Sequence, residues 1–154
     1  MIEGETLEQL FDWNYIFTSI PQILKYAPVT LLIAVIAMLF GLLIGLITAL
    51  IKIYKVPILR NIATVYVSFI RGTPLLVQMY LSYYGIPKIL NYMNYNFGWN
   101  VNVSGIPAIF FVYITFSVNV GAYLSETIRS AILAIDKGQL EAAYSVGMSR
   151  FQGM

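Results

Sequence analysis

Glu126 and Arg129 stand three residues apart in the stretch GAYLSETIR, a spacing that puts both on one face of a helix. Two uses of that spacing are open. The pair can neutralise itself, or a neighbour, at a surface. Alternatively, a carboxylate at the edge of an apolar segment can meet a charged substrate. Gln78, Thr115, Ser117 and Asn119 are polar side chains inside otherwise apolar runs. Such groups hydrogen-bond between helices and to carbonyls, or they line a hydrated path, for which Gln78 and Asn119 are the candidates. Covalent chemistry has little to work with. There is no cysteine and no histidine, which removes thiolate nucleophiles, disulfides, histidine dyads and most zinc or haem ligation. No GxxxxGKS/T phosphate loop is present, so the chain has no recognisable ATP site of its own. A net charge of +2 does not suggest nucleic acid.

The elements that must position these residues are membrane helices. Hydrophobic residues make up 59% of the 154 and charged ones 10%, against about 25% charged in soluble domains. Three uncharged runs, 26–51 after Lys25, 72–87 and 89–125, account for that gap. A spanning helix needs roughly 20 apolar residues. The first span is expected at 28–51, with Pro28 in its first turn and Tyr26 and Tyr54 as interfacial anchors. Gly41 and Gly45 form a GxxxG on a face of small residues that suits helix packing.

Arg71 decides what happens next. From Ile62 to Ile70 the chain could build only about 14 Å of helix, half the hydrocarbon core. A mid-membrane arginine would cost about 2.5–3.5 kcal/mol on the lenient insertion scale. Gly72 and Pro74 supply a break beside it. The expectation is therefore a cytoplasmic or interfacial segment over 52–73 with Arg71 at the membrane surface, then a second span over 74–90. The asparagine- and aromatic-rich stretch 91–104 reads as an extracytoplasmic loop, and the third span is expected at 106–124.

Lysine and arginine counts orient the bundle. Lys52, Lys55, Arg60, Arg71, Arg129, Lys137 and Arg150 fall on one side, against Lys25 and Lys88 on the other. That bias puts the amino-terminal segment, 1–25, outside and 125–154 in the cytoplasm. The segment 1–14 is acidic rather than basic, unlike a secretory signal. Near the other end, Asp136 with Gln139 resembles a helix N-cap and capping box. A short helix over 137–146 would follow, closed by Gly147 in the left-handed conformation. It is either a linker or a helix for a partner's groove, since its residues Ala142, Ala143 and Ser145 are small.

The motifs carry a family resemblance. EAAYSVG, 141–147, resembles the EAA-x3-G signature of the membrane subunits of bacterial ABC importers. RGTPLLVQ, 71–78, with GAYLSETIR and KGQLEAA, resembles the histidine/glutamine/arginine branch of polar amino-acid permeases. The resemblance implies an all-α membrane protein: three transmembrane helices of a five-helix type I importer core, ending in a cytoplasmic coupling helix. Glu141, Ala142, Ala143 and Gly147 match the coupling motif. Arg71, Gly72, Thr73, Pro74, Gln78, Asn119 and Glu126 are the family-motif and translocation candidates.

The same resemblance implies a multi-pass subunit of the bacterial plasma membrane, moving amino acids by alternating access. Implied partners are a cytoplasmic ATP-binding subunit, a second permease subunit in a homo- or heterodimer, an extracytoplasmic solute-binding protein, an amino-acid substrate and the lipid bilayer, with no nucleic acid. The chain is then no enzyme itself and holds no cofactor, ATP being bound by the partner subunit. The family pattern continues past the glycine to an I-x-LP element and two more spans, so a carboxyl-terminally shortened chain is expected. A non-transporting scaffold that binds the ATPase subunit is the alternative from another class.

Overall fold

A computed structural model describes residues 13–149 and residue 152. The acidic start of the chain (1–12) and Arg150, one of the cations used for orientation, lie outside the described residues. Among the described residues all regular structure is helical. Residues up to Val35 form one unit and those from Ile36 onward a second. The packing described below belongs to the second.

Helix α1 is Trp13–Ile53, 41 residues with Pro21 and Pro28 inside it. Forty-one residues are about twice the number that a bilayer crossing needs. The expected span, 28–51, lies inside this helix, which begins earlier. Each proline removes only one backbone donor, and the remaining amides of this apolar stretch are best satisfied by staying helical. A tight turn follows. Ile58 has φ 65° and ψ −56°, and Leu59 N donates to Pro57 O at 2.7 Å. That is a three-residue turn of the strained, positive-φ kind, uncommon for a β-branched residue.

Helix α2, Leu59–Gly72, ends beside Arg71. Thr73 is extended, as a residue before proline must be, and α3, Leu75–Tyr80, starts after Pro74. A π-helical turn, Leu81–Gly85, leads into α4, Ile86–Phe97. The axes of Leu59–Gly72 and Leu75–Phe97 differ by 113°. The apolar run does break at the arginine.

Asn91 to Phe97, expected in a loop, is instead the end of α4. The asparagines act as staples here rather than as helix breakers. Asn96 Nδ2 donates to Tyr92 O at 2.9 Å, and Gly98, at φ 69°, closes the helix. Asn94 then clamps the returning chain by bonding both Val101 O and Val101 N. After a short 3-10 turn, Val103–Gly105, helix α5 runs over Ala108–Leu133. It is longer than the expected 106–124 and carries Glu126 and Arg129 within it. Helix α6 is Lys137–Ser145.

The directions of these helices follow from what touches what. A Cβ added at Gly41 would meet Val120, and one at Gly45 would meet Leu124 and Gly121 O, so α1 and α5 run parallel. Gln78 meets Asn119 and Tyr83 packs edge-on against Phe111 at 5.7 Å, so α3 and the π turn run antiparallel to α5. The broken pair α2–α4 thus supplies the return path between two parallel helices. Tyr66 fastens α2 to α5 through a 2.6 Å hydrogen bond from its hydroxyl to Val118 O.

Candidate functional site

Six of the singled-out residues, Arg71, Gly72, Thr73, Pro74, Gln78 and Asn119, gather where α2 breaks against α5, and Glu126 lies further along α5. Gln78 is 5% exposed and its amide is fully used. Nε2 donates to Ile70 O at 2.8 Å, Thr73 O at 3.1 Å and Thr73 Oγ1 at 2.9 Å. Its Oε1 accepts from Asn119 Nδ2 at 3.0 Å. Thr73 Oγ1 in turn donates to Phe69 O at 2.8 Å. A helix end leaves carbonyls without partners, and in an apolar setting each would be costly. The RGTPLLVQ stretch therefore makes local sense. Gly72 and Pro74 end one helix, Pro74 opens the next, and Gln78, one turn on, reaches back to cap the first.

About two turns beyond Asn119 along α5, the charges gather. Glu126 pairs with Lys52 at the end of α1, and its second oxygen accepts from Arg129 Nε at 3.0 Å. The expected Glu126–Arg129 pair forms, but its strongest neighbour comes from a different helix. That Lys52 is the partner of Glu126 is something sequence reasoning missed. Nothing local marks a partner 74 residues away. Arg71 lies over the ring of Tyr123, 5.4 Å from its centroid, a cation–π contact. Lys52, Val67, Ser68, Arg71, Gly72, Tyr123 and Glu126 line an open groove of about 480 Å³.

Glu141, Ala142, Ala143 and Gly147 form a separate feature. Asp136 caps α6 by accepting from Gly138 N at 2.9 Å. At the other end Gly147 has φ 86°, Gly147 N donates to Tyr144 O and Met148 N to Ala143 O. Those two bonds are the Schellman pattern. Glu141 and Ala142 are exposed and Ala143 is half-buried, so the helix presents a small-residue surface. Among the described residues no group of three or more carboxylate, histidine or cysteine side chains could hold a metal ion.

Residues 41–154 match the protein family described as "Binding-protein-dependent transport system inner membrane component". The chain belongs to this family. It is 40% identical over 144 residues to PatM of Vibrio harveyi, named a probable amino-acid ABC transporter permease, covering 94% of this chain and 60% of PatM. It is 38% identical over 146 residues to the L-cystine transport system permease TcyL of Bacillus subtilis, covering 95% of this chain and 59% of TcyL. A solved structure titled "Crystal structure of an amino acid ABC transporter with histidines" superposes with a TM-score of 0.69 at 35% identity, covering 94% of this chain and 61% of that one. The chain spans about three-fifths of the length of these relatives. With two helices long and apolar enough to cross a bilayer and a third candidate in the bent pair, this inner-membrane component is a multi-pass membrane protein.

Proposed function

We propose that the protein is the membrane-spanning part of an ATP-driven importer for polar amino acids. Substrate passes by alternating access, and ATP is hydrolysed by a cytoplasmic partner subunit. A second permease subunit and an extracytoplasmic solute-binding protein complete the assembly. The observation that carries this reading is α6, a short exposed helix bearing Glu141, Ala142 and Ala143 and closed by Gly147. A helix with small side chains can enter a groove closely, and its cap fixes where the chain turns away. In this reading α6 transmits closure of the ATPase to α5, whose end it follows. Gln78 and Asn119 act by holding the break in place beside the path rather than by touching substrate, because their hydrogen bonds are spent on each other and on α2.

The test uses the protein reconstituted with its ATP-binding and solute-binding subunits. Gly147→Val forces a β-branched residue to φ 86°, costing about 1–2 kcal/mol at the cap, and Glu141→Lys reverses an exposed charge. Each variant is expected to insert normally yet lose co-purification of the ATPase, or hydrolyse ATP without amino-acid uptake. Normal ATPase binding and uptake in both would overturn the coupling role of α6. Orientation is tested separately, since the chain has no native cysteine. A cysteine at Lys55 should react with impermeant reagents only from the cytoplasm and one at Asn100 only from outside, and reaction of both from one side would refute this orientation.

A further inference from the structure

We propose that the groove between the end of α1, α2 and α5 is a headgroup site for an anionic phospholipid of the cytoplasmic leaflet. The charge balance points to an anion. Lys52, Arg71 and Arg129 gather around a single carboxylate, Glu126. Lys52 and Arg129 already hold both oxygens of that carboxylate. The sequence contains no Asp or Glu between Asp12 and Glu126, and no carboxylate pairs with Arg71 among the described residues. Its guanidinium rests on Tyr123 instead, which fixes its plane while leaving its donors available to the groove. A guanidinium of this kind suits the paired oxygens of a phosphate. The Ser68 side chain lies on the same wall and can add a donor.

The surroundings favour a ligand with tails over a free anion. The Tyr123 ring gives the groove one apolar wall beside its charged ones. Within a turn of Ser68 on α2, Val65 and Phe69 are exposed at 69% and 53%, a surface against which acyl chains can lie. Lys55, in the turn before α2, and Arg60, in its first turn, add positive charge along the same segment. Basic pockets between membrane helices on the cytoplasmic side attract anionic headgroups, each Lys or Arg contributing about 1 kcal/mol. The leaflet assignment rests on the orientation proposed above. Binding in detergent does not depend on it, so failure of one is distinguishable from failure of the other.

The experiment is native mass spectrometry of the purified protein in nonionic detergent, titrated with phosphatidylglycerol or phosphatidylcholine. Phosphatidylglycerol is expected to be retained at least about fivefold more tightly, because both lipids carry the phosphodiester but phosphatidylcholine offsets it with its own ammonium, and one uncompensated headgroup charge beside a basic residue is worth about 1 kcal/mol. Arg71→Gln and Ser68→Glu should each abolish that preference, and Lys88→Gln, on α4 away from the groove, should keep it. Should Arg71→Gln fail to fold, as judged by gel filtration and helical circular dichroism, Ser68→Glu and the wild-type preference decide. Equal retention of the two lipids by the wild type overturns the proposal, as does a preference that survives Ser68→Glu. Displacement of phosphatidylglycerol by millimolar inorganic phosphate, but not by chloride at the same ionic strength, would make the groove a site for a soluble oxyanion and also overturn it.

Discussion

Two of the junctions between the helices from Ile36 onward work by opposite means. Along the α1–α5 seam the backbones touch because side chains are missing. Gly41, Gly45 and Gly121 face each other's helices, with Ala49 and Ala122 fully buried beside them. At the α2–α3 break the backbone is exposed by the turn, and polar side chains are spent on it. Gln78 and Thr73 supply bonds that the helix end lacks, and Asn119 holds Gln78 by donating to its Oε1. The seam gains from dispersion at close range and has no adjustable part. The break can in principle open, because what holds it is a handful of hydrogen bonds worth roughly 0.6 kcal/mol each in membrane settings.

Loading the seam should have the largest effect. A Cβ at Gly45 would lie 2.9 Å from Leu124 Cβ and 3.1 Å from Gly121 O. Backbone cannot step aside as a side-chain tip can. Gly45→Val is expected to cost up to about 3 kcal/mol by overpacking, read as a lower midpoint of thermal unfolding followed by circular dichroism in micelles. An unchanged midpoint would mean the two helices are not in close contact, and the comparison between the junctions would collapse.

Breaking the knot comes second. Gln78→Leu fills the same space without donors and strands the carbonyls of Ile70 and Thr73, so a loss of about 2 kcal/mol is expected from the bonds removed. The same midpoint measures it. A smaller coupling lies inside that loss. A double-mutant cycle of Gln78→Leu with Asn119→Leu should give about 0.6 kcal/mol of interaction energy. Strict additivity would show that the Gln78–Asn119 bond does not tie the break to α5.

What was legible in the sequence differs between the two junctions for a physical reason. The seam could be read from Gly41 and Gly45 because small residues at helical spacing are a pattern on one helix. The break at Arg71 was legible because Gly72 and Pro74 act on their own neighbours, and so was the cap at Gly147. The role of Gln78 was open, since its acceptors come into reach only after the 113° bend. The Lys52–Glu126 pair needs α1 and α5 to run parallel, which no local pattern states. The stretch from Asn91 was misread because asparagine favours turns in isolation, whereas here its side chains bond back onto a helix that already exists. The third span was expected to end at 124, with Glu126 and Arg129 on a helical face beyond it. Lys52 and Arg129 neutralise Glu126 in place, and α5 continues to Leu133.

The smallest expected effect separates two kinds of glycine. Gly72 sits in the last turn of α2, and a Cβ added there would meet nothing within 4 Å. Its φ is not in the left-handed region, for among the described glycines only Gly98 and Gly147 are. The reason for a glycine at this place is therefore local. It weakens the helix just before Thr73 and Pro74 turn the chain, through the extra freedom it has when unfolded. Gly72→Ala removes that freedom without creating a clash, and a gain of about 0.5 kcal/mol is expected. Gly45→Ala, the same substitution at the seam, must lose stability. If Gly72→Ala instead lowers the unfolding midpoint as Gly45→Ala does, then a second surface packs against the break. The α2–α3 junction would then be held by close approach as well as by its hydrogen bonds.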